Sequence, residues 1–123
     1  MLTPQPIKKS VTMPVLKYSQ TQPEKVSDGI ERRLVHTDSL MTAVLDLSGG
    51  PKSEPDPFHS HPHEQSCYIA SGKVLFLMEG EDPVELQTGD MFYVPSGKPH
   101  AIQLLSETAR LVDNFSPIRE DFL

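Results

Sequence analysis

The chemistry in this chain concentrates in one heptapeptide, His59-Ser60-His61-Pro62-His63-Glu64-Gln65, which holds three of the five histidines. His59 and His61 are two apart, and on a strand residues two apart point to one face. Two imidazoles so placed converge on one ion. Gln65 shares their parity, with Pro62 as a turn signal in between, and its amide oxygen offers a third ligand. His100 closes a second stretch, Gly89 to Pro99, in which glycines and prolines frame a strand. A strand returning beside the first brings His100 to the other three. A lone His-x-His pair is common in polar loops and usually binds nothing; the clustering and the rigid frame before His100 are what raise it here. Three imidazoles and an amide are neutral, so a divalent ion held by them keeps nearly its full charge. It is then a strong Lewis acid and an anchor for a carboxylate, and is less suited to redox cycling. The expected cofactor is one divalent metal ion, Ni, Zn, Mn or Fe, on His59, His61, Gln65 and His100.

A second group of reactive residues lies in the tail, Arg110 to Leu123. Asp113 and Phe115 share one face of a strand that should flank His100. If that face is interior, a carboxylate stands near the ion and serves as a proton donor or acceptor. Arg119 follows a Ser-Pro turn and can reach a barrel mouth, where a guanidinium would bind a carboxylate bidentately. On spacing alone the simpler arrangement is favoured: Asp113 ends in solvent and Arg119 pairs with Glu120 or Asp121.

The elements that must position these residues are strands. Residues 30–37 and 39–47 read as strands, the second alternating with the period of a sheet, Met41, Ala43, Leu45 and Leu47 against Leu40, Thr42, Val44 and Asp46. Ser48 to Pro57 is a loop by its Gly and Pro content. Short apolar runs follow at 67–70, 73–78, 84–86, 91–94, 101–105 and 109–114, separated by turns. Even spacing of short strands, with twelve prolines and seven glycines and no helical period, predicts an antiparallel barrel or sandwich. Residues 1–29 are polar and proline-spaced and are expected to form an extended arm, with one short strand near Val15–Tyr18. That arm either lies loosely in solvent or runs along a second subunit. Residues 30–123 are expected to form the barrel. Cys67 is read as a small core residue, His63 as outward-facing or a support for the site, and Phe58, Phe76, Phe92, Tyr68 and Tyr93 as core or barrel lining.

Bulk properties narrow the class. A chain of 123 residues is one domain. Its formal net charge of −6 disfavours nucleic acid. A single cysteine allows no internal disulfide, and neither a signal-like nor a membrane-length apolar run is present, so a cytoplasmic location is expected.

Two motifs resemble those of the cupin superfamily. The segment His59-x-His61-x3-Gln65-x6-Gly72 is similar to the first cupin motif, with Gln65 where most members have Glu and without its leading glycine in register. The segment Gly89-x5-Pro95-x-Gly97-x2-His100 is similar to the second, with Leu104 in place of its asparagine. The resemblance implies an all-β single-domain cupin, a double-stranded β-helix or jelly-roll barrel. A narrower resemblance joins the string His59 to Gln65 with Asp113-x-Phe115-Ser116-Pro117-x-Arg119: the pectin-degradation cupins of the KdgF type. These are metal-containing enzymes that open 4,5-unsaturated uronates to 5-keto-4-deoxyuronate. The resemblance implies a lyase or isomerase of pectin or alginate breakdown, a small anionic sugar as partner, and a catalytic set of Asp113, Phe115 and Arg119. It does not cover residues 1–29, and Asn114 stands where an apolar residue is usual. A homodimer is expected from the habit of small cupins. The alternatives are a non-catalytic sugar- or metabolite-binding cupin and an Fe-dependent dioxygenase.

Overall fold

A computed structural model describes residues 14–123. Nine strands make up about half of it: β1 (Glu24–Ser27), β2 (Ile30–His36), β3 (Met41–Leu47), β4 (Glu64–Ser71), β5 (Lys73–Met78), β6 (Val84–Gln87), β7 (Met91–Val94), β8 (His100–Leu104) and β9 (Ala109–Ser116). They form two antiparallel sheets, one of six strands in the order β1-β2-β3-β9-β4-β7 and one of three in the order β6-β5-β8. This is the all-β antiparallel architecture expected from the spacing of apolar runs, in the barrel form that the motif resemblance implied.

Alternation dictates what faces inward. In β9, Ala109, Leu111, Asp113 and Phe115 are buried while the residues between them are not. In β3, Met41, Ala43 and Leu47 are buried on the same side. Their partners in register are Phe115, Asp113 and Ala109, so the inward rows of the two strands meet pairwise. The core has two parts. One gathers Leu47, Cys67, Ile69, Val74, Leu104, Ala109 and Leu111, with Cys67 in the small-residue core position its sequence context suggested. The other is Met41, Ala43 and Phe115, covered by Leu34, Ile118 and Phe122.

The first sheet begins earlier than alternation shows. Glu24–Ser27, inside the stretch expected to be an arm, forms β1 and pairs antiparallel with β2. All four of its residues are exposed, so it carries no apolar pattern. The signal that was available is Asp28-Gly29, a two-residue hairpin turn, with Gly29 at φ 80°. No strand forms at 15–18; Tyr18–Gln20 is a single 3₁₀ turn. Its tyrosine ring lies under the Arg33 guanidinium at 4.3 Å. The first thirteen residues of the expected arm lie outside the described residues. Tyr68, Tyr93 and Phe58, expected inside, are 42%, 70% and 49% exposed. The two tyrosines fall on the outward parity of β4 and β7.

Gly72 makes the turn from β4 to β5. Its φ is 90°, and a Cβ there would meet the Thr108 carbonyl oxygen and, at 2.6 Å, the Ala109 Cβ. Both obstacles are rigid parts of the neighbouring strand entry. Gly72→Ala should therefore lose at least about 2 kcal/mol, from the left-handed backbone and the clash together. The midpoint shift in urea denaturation measures it, and an unchanged midpoint would contradict this account of the turn.

Candidate metal centre

His59 and His61 do not share a continuous strand, as their spacing had suggested. β4 starts only at Glu64, so both histidines lie in the loop that leads into it. Backbone bonds to the opposite sheet hold that loop instead. His59 and His100 exchange N–H···O bonds of 3.0 and 2.9 Å in an isolated bridge. Gly97 N–H donates to the His61 carbonyl at 2.8 Å, and Ser96 Oγ donates to the Pro62 carbonyl at 2.7 Å. The turn at Pro95–Pro99 thus clamps the first motif to the second. Upstream, Lys52 and Asp56 N–H groups donate to Leu104 and Ile102, laying the Ser48–Pro57 loop along β8.

The result is a compact imidazole cluster. The donor atoms of His59, His61 and His100 all lie within 4.8 Å of one another. Two rings have a fixed tautomer. His61 Nδ1–H donates to the His63 carbonyl at 3.0 Å, and His100 Nδ1–H donates to the Lys98 carbonyl at 2.9 Å. Each turns a bare Nε2 lone pair toward the cluster. Burial lowers the pKa of both rings. The Arg119 charge adds to this at His61, and the other histidines of the cluster add to it at His100. The neutral form is the one that binds a metal. His61 and His100 are buried, whereas His59 is exposed and leaves the cluster open on one side.

Two observations show that these residues fit a cation. His100 Nε2 is buried and has no hydrogen-bond partner. Gln65 Oε1 lies 3.1 Å from His61 Nε2, with no proton available to join them. The His61 proton is committed to His63, and the Gln65 amide donates to Asp113 Oδ1 at 3.0 Å. Two acceptors facing each other at that distance are relieved by a positive ion between them. Asp113 thereby sets the orientation of Gln65, so its oxygen rather than its nitrogen meets the cluster.

Asp113 does not end in solvent. It is 4% exposed, opposite Cys67 in the β4–β9 register. Burial pushes its pKa up to about 6, against hydrogen bonds from Cys67 and Gln65 and the Arg119 charge, which all pull it down. Phe115 is buried with its ring edge-on to His61 at 5.8 Å. Arg119 does pair with Asp121, through Nη2 at 2.9 Å and Nε at 3.1 Å. It also stacks on Phe122, 4.3 Å from the ring centre, and points into the barrel. The expected pairing with Asp121 therefore forms, and it leaves the guanidinium on the wall of the cavity. His63 contributes through its carbonyl, and its Nδ1 is buried without a partner. A cavity of about 290 Å³ joins the parts: His59, Gln65, His100, Asp113, Phe115 and Arg119 all line it.

Among the lining residues that were not anticipated are Arg32 and Phe122. Arg32 was legible in principle, because it has the inward parity of Ile30 and Leu34 in β2. Phe122 sits in the 3₁₀ turn Glu120–Phe122, where a lone aromatic gives no periodic signal.

The cupin domain family matches residues 47–115, the span that carries all four candidate ligands. The chain belongs to the cupin family. The cupin is 35% identical over 106 residues to the pectin degradation protein KdgF of Dickeya dadantii, covering 85% of this chain and 93% of that one. The structure of KdgF from a Halomonas species superposes with a TM-score of 0.78 at 29% identity, covering 87% of this chain and 97% of that one. A dimethylsulfoniopropionate lyase, DddQ of Ruegeria pomeroyi, is 51% identical over 65 residues, which span 53% of the cupin and 31% of that lyase. Among the described residues no helix is long and apolar enough to cross a membrane.

Proposed function

We propose that this cupin opens the ring of a 4,5-unsaturated uronate to 5-keto-4-deoxyuronate, using one divalent metal on His59, His61, Gln65 and His100 with Asp113, Phe115 and Arg119 as its working residues. One observation carries the reading: two imidazoles of the cluster, His59 and His100, a buried carboxyl and an inward guanidinium line a single cavity of about 290 Å³, a size suited to one sugar ring. The likeness to the pectin degradation protein KdgF supports the same reading.

The reaction is an internal proton shift. The proton on the anomeric hydroxyl leaves, the bond from C1 to the ring oxygen breaks, and an enol is left at C5. A proton then reaches C4, and the enol becomes the ketone. A bound divalent ion supplies Lewis-acid stabilisation of the negative charge that develops on oxygen. The rest belongs to side chains. Arg119 holds the substrate carboxylate. Asp113, with a pKa raised to about 6, both takes and returns a proton near neutral pH. Phe115 packs against His61 and keeps that wall of the cavity dry. No step is redox, in keeping with a neutral Gln65 where a carboxylate ligand is usual.

The DddQ match suggests a second substrate to test, dimethylsulfoniopropionate. A sulfonium is a cation, and the cavity already holds Arg32 and Arg119, whose shared aromatic partner Phe122 is occupied by both guanidiniums. That arrangement favours an anion without a positive end. The test is loss of the ultraviolet absorbance of unsaturated galacturonate on incubation with metal-loaded protein. Turnover is expected, and EDTA should abolish it. No absorbance change would sink the uronate reading; dimethylsulfide release would favour the lyase, oxygen uptake a dioxygenase, and none of these a binding cupin. A homodimer is part of the same proposal, with the outward face of Leu40, Met91 and Tyr93, each more than half exposed, as the surface a second copy would cover.

A further inference from the structure

We infer that Arg32 is a second substrate-holding guanidinium: it donates to a ring hydroxyl while Arg119 takes the carboxylate, and so sets which uronate epimer the cavity accepts. The inference rests on the uronate reading above and adds a specificity residue to it.

The neighbours of Arg32 in β2 on the inward side are Ile30 and Leu34, and its partner in β3 is Leu45. In that apolar row a cation is out of place. Arg32 is only 9% exposed. Its counter-ion, Glu24 on β1, is 55% exposed, so the carboxylate stays at the solvent while the guanidinium lies within. Arg119 and Asp121 repeat the pattern at 14% and 59%. With its carboxylate end in solvent such a pair adds little to stability, and an apolar side chain of similar volume would fill the inward row as well.

The geometry instead fixes a donor. Both Nε and Nη2 of Arg32 donate to Glu24 Oε1, at 3.2 and 2.9 Å. The guanidinium also lies over the Phe122 ring, 3.8 Å from its centre. Its plane is thus held from the edge and from the face. Among the described residues Nη1 makes no hydrogen bond, and the residue lines the same cavity as His59, His100, Asp113 and Arg119. A held guanidinium with donor capacity left over loses little freedom when it binds an oxygen. A uronate has one carboxylate, and Arg119 with the ion suffices for it. What remains on the ring are hydroxyls. Once C4 and C5 are unsaturated, only the hydroxyls at C2 and C3 distinguish uronates from different polysaccharides, so the group that touches them selects between them.

Arg32→Met and Arg32→Lys test this on the metal-loaded protein. Arg32→Met should raise KM for unsaturated galacturonate about 10- to 100-fold while kcat stays within about threefold, because the lost bond is made equally in ground and transition states. The kcat/KM ratio between C2 epimers should fall toward one, and Arg32→Lys should recover part of the KM. A wall residue of purely structural importance would leave KM and the epimer ratio unchanged in the folded, metal-loaded variant, and that result overturns the inference. If Arg32→Met does not fold, Arg32→Lys is judged by the same KM criterion. If the wild type turns over no uronate, the function proposed above fails while Arg32 is still tested, by calorimetric binding of saturated galacturonate. Binding about tenfold weaker in the variant upholds its role; equal binding, or none to either protein, sinks it.

Discussion

Replacing His100 by alanine should abolish stoichiometric metal binding and cut uronate turnover by about a thousandfold or more. Loss of a residue that merely supports a ligand costs on the order of 10–100-fold in metal affinity. His100 is itself a candidate ligand, its Nδ1 proton tied to Lys98 and its Nε2 buried without a partner, so its loss should cost more. Lewis-acid stabilisation is worth several kcal/mol of barrier, which converts to about three orders of magnitude in rate. The fold should survive, because the bonds that join His100 to His59 are backbone bonds, although the Nδ1–H donation to the Lys98 carbonyl goes with the ring. Thermal melts separate the two effects. At a free metal concentration of about 100 times Kd, binding adds about 2.7 kcal/mol to the wild type, or on the order of 10 °C in Tm for a domain of this size. His100→Ala should melt at or somewhat below the metal-free wild type, having lost the bond to the Lys98 carbonyl, and gain nothing from added metal. One equivalent of metal retained in the purified variant, by elemental analysis, would remove His100 from the ligand set.

Asp113→Asn should keep fold and metal and lose about 10²- to 10⁴-fold in kcat, the usual range for a positioned acid–base group. The substitution is nearly isosteric. An asparagine oxygen still accepts from the Gln65 amide, the 3.0 Å bond that points Gln65 Oε1 at His61. What disappears is the titrating carboxyl. KM should move little, since Arg119 and Arg32 still face the cavity. Steady-state kinetics with unsaturated galacturonate, alongside metal analysis, decide it. Full activity in the variant would show that the proton is moved by another group.

Much of this site was legible in the chain because metal ligation forces residue types into fixed spacings. The spacing singles out His59, His61, Gln65 and His100, and the structure gathers them, although not through the shared strand face expected of the first pair; hydrogen bonds to the Pro95–Pro99 turn and to His100 do that work. The strands were legible where one face is buried. Where none is, as in β1, or where polar residues open a strand, as Glu64-Gln65-Ser66 open β4, alternation is silent. The burial of Asp113 needed the structure, because a charged residue at an inward parity can as easily mark a strand end. The inward parity of Arg32 was legible but its purpose was not: only the contacts with Glu24 on the neighbouring strand and with the distant Phe122 show how a cation sits in an apolar row.

The position of the candidate ligands reaches beyond catalysis. Gln65 belongs to the six-stranded sheet, and His59 and His61 to the loop that enters it, whereas His100 opens β8 in the three-stranded one. An ion gripped by all four would rivet the two layers of the barrel together at the rim. Metal starvation would then loosen the seam between the layers as well as silence the chemistry, so protein made without its ion would be both idle and easier prey for proteases.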